Sequence, residues 1–116
     1  MKSDSAYIAQ ILENISKIRR FVGIMTFAEF QENELMQSGV LMQLQQIGEM
    51  AKKVSETTRT EVAVPWEKIA GFRDIVAHEY YDILLSLVWN NIVSELPQTE
   101  APLAEYLKQH PLLPEV

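Results

Sequence analysis

The chain has no cysteine, only two histidines and four scattered glycines in 116 residues. It also has no apolar run of the roughly 18 residues that a membrane-crossing helix needs. The missing cysteine excludes a disulfide framework and thiolate chemistry, and suits a reducing compartment. With His78 and His110 as the only histidines, a metal site of His and Cys at ligand spacing has too few donors. There is neither a Walker loop nor an H-E-x-x-H pair, and Glu79-Tyr80-Tyr81-Asp82 lacks the Asp/Asn ladder of a calcium loop. The opening MKSDSAYIAQ has no basic segment followed by an apolar one, so a cytoplasmic protein without a membrane role is expected. Positive charge is scarce too: 10 Lys and Arg against 16 Asp and Glu leave a formal net charge of −6. That excludes a general nucleic-acid coat, whose affinity comes from neutralising phosphates. An RNA-directed role then requires local concentration, which Lys52, Lys53, Lys68 and Arg73 supply if their helices adjoin. An ordinary solvated surface is the alternative for the lysines.

What is abundant is helical periodicity. At 47% hydrophobic and 22% charged, the composition is that of a globular protein, and residues 1–116 read as a single domain. Ile8, Ile11, Leu12, Ile15 and Ile18 recur at steps of three and four behind a Ser3 or Ser5 cap, with Gly23 as the stop. Lys17, Arg19 and Arg20 near that end suit the helix dipole. Thr26 caps a short turn before a long helix from about Glu32 to Val54. Its stripe is Met36, Val40, Leu44, Ile47, Ala51 and Val54. Leu35, Leu41 and Met42 lie off the stripe, so a second face is partly apolar and serves as a dimer seam, unless it is buried within the protomer. Residues 55–64 read as a loop in which Val62 and Val64 make a brief extended segment. Pro65 then opens a helix at its first position. Asp82 caps another, with Leu85, Val88, Trp89, Ile92 and Leu96 inward and Pro97 ending it. Thr99 to Gln109 forms a last short helix, followed by an exposed His110. Trp66 and Trp89 are expected as core anchors rather than base-stacking platforms. The fold class expected is all-α, an up-and-down bundle of four main helices with short extra helices.

The chemistry concentrates in PWEKIAGFRDIVAHEYY, residues 65–81. On a helix Asp74 and His78 share a face, Arg73 and Tyr80 lie two turns apart on nearly one stripe, and Ile69, Phe72, Ile75 and Val76 supply an anchoring face. Arg73 and His78, five apart, diverge by roughly 140°. A site using both must therefore be completed from elsewhere, most economically by a second subunit. By residue type alone, His78 reads first as a packed or surface residue and Asp74 with His78 as an ordinary helix pair.

The spacing adds more. Arg73, His78 and Tyr80 form an R-x4-H-x-Y pattern that resembles the signature of the HEPN superfamily, in particular the HepT-like toxins of HepT/MntA (type VII) toxin–antitoxin pairs. Pro65-Trp66, Ile69 and Gly71 resemble that group's lead-in, and Asp74 its polar residue after the arginine. Ile47-Gly48-Glu49 with Lys52 is similar to its second-helix segment, and Val88-Trp89 with Leu96-Pro97 to its closing helix. The likeness runs from about residue 5 to residue 108.

The resemblance implies a HEPN-like bundle that homodimerises so that two R-x4-H motifs form one composite ribonuclease site. Arg73 and His78 would be the catalytic pair and Asp74 an orienting residue for His78. RNA supplies its own 2′-OH nucleophile, so proton transfer by a histidine and charge stabilisation by an arginine suffice, with no metal and no cofactor expected. Tyr80 would accept AMP from a cognate MntA-like minimal nucleotidyltransferase antitoxin, whose added phosphate silences the site by repulsion and occlusion. Two other readings stay open: a non-catalytic helical module that binds a nucleotidyltransferase or a nucleotide, and a purely structural dimeric bundle.

Overall fold

Ser3 starts the first helix by adopting an extended backbone and accepting the Ala6 N–H at 3.2 Å, which satisfies a first-turn donor that has no helical partner. In the computed structural model, which describes residues 3–79 and 85–112 but not the side chains of 73–79, α1 spans Asp4–Val22. It closes at Gly23, whose φ of 55° lies where L side chains are strained. Ile8, Ile11, Ile15 and Ile18 form one fully buried stripe. The short α2 (Phe27–Gln31) opens with a reciprocal capping box between Thr26 and Glu29, whose hydrogen bonds hold the Glu29 carboxyl below its usual pKa.

Asn33 caps α3 (Glu34–Lys53), the longest helix among the described residues. Its core stripe is Val40, Leu44, Ile47 and Ala51, and Leu41 is also buried. Leu35 and Met42 are not, at 85% and 59% exposure, so burial within the protomer does not account for the second apolar face. Between α1 and α3 lies the fully buried Asn14. Its amide donates to Gln43 Oε1 (2.5 Å) and Gln46 Oε1 (2.9 Å), and its carbonyl accepts from Gln10 (3.1 Å). Left unpaired, such a group would cost about 1–3 kcal/mol, so this cluster selects one register of α1 on α3.

Residues 55–64, expected as a loop, contain a helix, α4 (Glu56–Glu61). The local reason is legible: Ser55 caps it through the Thr58 N–H, and Glu56 sits in its first turn. Asp4 completes the arrangement from α1, accepting the Ser55 N–H (2.9 Å) and the hydroxyls of Ser55 (2.5 Å) and Thr58 (2.6 Å). Val62 and Val64 join no strand; Val64 N–H bonds Val62 C=O and Trp66 N–H bonds Val64 C=O, both at 2.9 Å, in two tight turns. The next helix, α5, spans Trp66–Glu79, so Pro65 precedes it rather than opening it, and its carbonyl accepts the Ile69 N–H.

The expected stop at Pro97 is absent. After α6 (Leu85–Asn90) the chain widens into a π turn, Asn91–Glu95, and continues as α7 (Leu96–Gln109), with Pro102 in its interior. Leu96 N–H reaches back to Asn91 C=O, five residues away. Pro97, without an N–H to continue the ladder, falls in the first turn of α7, where that donor is dispensable. The expected fourth and last helices are thus one helical run. The Asp82 cap lies outside the described residues.

The result is an all-α up-and-down bundle. Ser5 reaches the His110 carbonyl (2.7 Å) and Arg19 pairs with Glu100 (2.8 Å), which sets α1 antiparallel to α7. Asp4 at Ser55 and Phe21 at Gly39 do the same for α1 and α3. On the far side of α3 packs α5, and α2 touches α3 and α6. No described helix is long and apolar enough to cross a membrane.

Desolvation raises the Asp4 pKa, but the Ser55 and Thr58 hydroxyls and the Ser55 N–H outweigh it, leaving the carboxyl below its ordinary value. A depressed folded-state pKa stabilises above the unfolded value, near 4, and that contribution is lost as pH falls through the folded one. Asp4→Asn is expected to cost about 1–2 kcal/mol at pH 7, after discounting for partial exposure, and to flatten the acid side of the stability curve below about pH 4. Chemical denaturation at pH 7 and pH 3 measures both effects.

Candidate functional site on the fifth helix

Trp66 anchors the start of α5. It is buried, and its indole N–H donates to the carbonyls of Val62 (3.0 Å) and Arg59 (3.1 Å). Arg59 in turn donates to Ala51 C=O at 2.7 Å, capping the end of α3. The first turn of α5 is thereby tied to the last turn of α3, and α5 runs back along it. Ile69 and Phe72 are buried, as their spacing predicted. The remaining two members of that expected face, Ile75 and Val76, have side chains outside the described residues.

Arg73, Asp74 and His78 all fall on α5. Helical geometry therefore holds for their backbone positions: Asp74 and His78 four apart on one face, Arg73 and His78 about 140° apart. The side chains of these three, and Tyr80 entirely, lie outside the described residues. Running antiparallel to α3, the half of α5 that carries Arg73 to His78 lies beside the N-terminal half of α3.

The expected concentration of lysines has its precondition, since α3 and α5 adjoin. It is weaker than the sequence suggested. Lys68 is paired with Glu95 of the π turn, and Lys53 sits over the Tyr7 ring at 5.9 Å. Both are exposed, so these contacts are worth little in stability, but Glu95 does offset charge next to α5. Lys52 is exposed and also engaged.

Trp89 is half-buried against Phe27 (5.9 Å) and Phe30 (5.3 Å), so both tryptophans are core pieces. His110 is exposed but not loose: its ring stacks on Tyr106 at 4.3 Å and its N–H bonds Tyr106 C=O. Sequence reasoning missed the π turn, where Asn91 donates to Leu87 C=O (3.0 Å). Its one sequence signal is Pro97, which by itself reads as a helix stop. Among the described residues no three of His, Cys, Asp and Glu converge as cation ligands would.

Comparison with known proteins assigns the class of this helical bundle with R-x4-H on α5. The family described as "Ribonuclease HepT-like" matches residues 11–106. A protein of Methanocaldococcus jannaschii named "Putative RNase MJ0127" is 32% identical over 108 residues, covering 92% of this chain and 89% of that one. "Putative RNase TTE0752" of Caldanaerobacter subterraneus subsp. tengcongensis is 29% identical over 110 residues, covering 94% and 98%. "Probable ribonuclease HepT" of Thermococcus cleftensis is 27% identical over 97 residues, covering 83% and 88%. No solved structure matches. The chain belongs to the HepT-like ribonuclease family.

Gly71 stands two residues before Arg73, in the middle of α5. A methyl group there would meet no described residue within 4 Å, so packing within the described protomer does not require glycine. Gly71→Ala is expected to raise stability by about 0.5–1 kcal/mol, read as a higher Tm. A loss of stability would show that the protomer itself uses the space.

Proposed function

We propose that this chain is a toxin ribonuclease that cleaves RNA without a metal, through a composite site made by Arg73 and His78 of two protomers. What carries the reading is the placement of the R-x4-H pair on one continuous helix of a chain that belongs to the HepT-like ribonuclease family. The names of its relatives point the same way.

The chemistry follows from the two side chains. A neutral His78 imidazole takes the proton of the 2′-OH, whose oxygen attacks the adjacent phosphorus. Arg73, always charged and able to make two parallel hydrogen bonds, stabilises the charge that builds on the non-bridging oxygens. The P–O5′ bond breaks, and the departing 5′ oxygen takes a proton from an imidazolium, the second protomer's histidine in a symmetric site. The products are a 2′,3′-cyclic phosphate and a 5′-hydroxyl. Asp74, one turn before His78, orients the imidazole and favours its charged form.

His78→Ala should lower cleavage of a single-stranded RNA by about 10²–10⁴, with EDTA leaving the parent activity unchanged. Abolition by EDTA would overturn the metal-free mechanism, and full activity of His78→Ala would remove the histidine from it. A chain that never cuts RNA, yet binds a nucleotidyltransferase, would be the non-catalytic module instead.

Tyr80 is the proposed point of control, accepting AMP from a partner minimal nucleotidyltransferase. It follows His78 by two residues, so the added phosphate would bring negative charge to the place where substrate phosphate binds. Peptide mass spectrometry after coexpression with that partner should locate AMP on Tyr80, and the modified protein should not cut RNA. Modification confined to Tyr81 would overturn the assignment.

A further inference from the structure

We propose that the stripe of α5 leading from Glu67 through Gly71 into the motif is a subsite for one nucleobase of the RNA, laid flat on the bare backbone at Gly71 with its amino edge on the Glu67 carboxylate. The proposal rests on the ribonuclease reading and says what the site holds beside the scissile phosphate. Glu67, Gly71, Asp74 and His78 follow steps of four, three and four on one helix, so their backbone positions fall within roughly 60° of one another. Gly71 precedes His78 by about 10 Å along the axis, within reach of the nucleotide adjoining a phosphate at the histidine.

A glycine in mid-helix lowers helix stability, and nothing within the described protomer compensates for this one. Gly23 adopts a φ of 55°, and Phe21 lies 3.5 Å from where a methyl on Gly39 would stand. At Gly71 φ is not positive and a methyl would touch no described residue. The open space lies on the motif's own stripe, and a planar ring comes close to a helix backbone only where no Cβ stands between them. Carboxylates flank it one turn before, at Glu67, and one turn after, at Asp74, so a phosphate is repelled from this place and a neutral base is not. Glu67 is exposed and, among the described residues, has no hydrogen-bond or ion-pair partner. The helix dipole accounts for its sign but leaves its oxygens unused. Those oxygens only accept, so they suit the exocyclic amine of cytosine or adenine and reject the carbonyl that uracil presents in its place.

Fluorescence anisotropy with labelled 2′-O-methyl oligomers of cytidine, adenosine or uridine, which cannot be cut, tests the subsite, and the same oligomers as plain RNA report cleavage. The parent chain should hold the cytidine and adenosine oligomers about tenfold more tightly than the uridine one. Glu67→Gln, whose amide both donates and accepts, should hold all three within about twofold. Gly71→Leu, a good helix former, should keep a Tm at or above the parent's yet lose most of its binding to every oligomer. Gly71→Ala should show a smaller loss in the same direction. No binding by the parent, equal affinity for the three oligomers, an unchanged preference in Glu67→Gln, or full binding by Gly71→Leu would each overturn the proposal. A lowered Tm in both Gly71 variants would also overturn it, because the space would then be filled by the protomer. So would a Gly71→Leu chain that is monomeric in light scattering where the parent is a dimer, which would give the space to a second copy. A parent chain that binds with the stated preference but leaves plain RNA intact keeps the subsite and removes the nuclease reading; cleavage without base preference does the reverse.

Discussion

The packing of α1 against α3 is the constraint from which the remaining arrangement follows. An isoleucine stripe could slide along an opposing apolar stripe by one turn at modest cost, because apolar contacts are not directional. Asn14 removes that freedom. Its carboxamide is fully buried, with its carbonyl held by Gln10 of its own helix, and only one register presents Gln43 and Gln46 of α3 to its amide. A slip would leave the Asn14 amide and the Gln43 carbonyl unpaired in the interior, each costing about 1–3 kcal/mol. Once the register is set, Asp4 meets Ser55 and Thr58, which fixes α4, and Arg59 meets the end of α3.

From there the position of α5 is a consequence. Trp66 hangs on two carbonyls of the α4 segment, so the start of α5 inherits the placement of α4, and Ile69 with Phe72 presses it onto α3. Arg73, Asp74 and His78 therefore sit on a helix whose Trp66 anchor lies about two turns upstream of Arg73. That separation is useful for a site completed by a partner. On the proposed reading, changes to Arg73 or His78 leave the anchor intact, whereas loss of Trp66 would move the whole motif together.

How legible was this in the sequence? Periodicity with caps revealed α1, α2 and α3 to within two residues, because Ser3, Gly23 and Thr26 are strong terminal signals acting locally, although the Asn33 cap of α3 was not foreseen. The segment 55–64 misled because its β-branched residues have low intrinsic helix propensity. The cap at Ser55 and the reach of Asp4 from 51 residues earlier overrode that preference. Pro97 misled in the opposite way: a proline usually marks a boundary, but a π turn just before it lets the helix re-form with proline in its first turn. The buried Asn14 cluster could not be foreseen, since one polar residue on an apolar stripe looks like an exposed edge until its partners are placed. The candidate site is legible as a spacing, because Arg73 and His78 fall on one helix about 140° apart.

Charge is the remaining physical problem for an acidic chain that is to act on RNA. Each protomer carries a formal −6, and two of them approach a polyanion with twice the repulsion, screened beyond about 8 Å at physiological ionic strength. Diffuse attraction does little against this, because acidic residues outnumber basic ones and Lys68, on α5 itself, is already answered by Glu95. A composite site addresses it locally. Bringing two guanidinium groups to one seam doubles the positive charge within a Debye length of a single phosphate, at no cost in net charge elsewhere. On the proposed reading, dimerisation is therefore what gives an acidic protein a place where a phosphodiester can bind, and affinity and catalysis depend on the same interface.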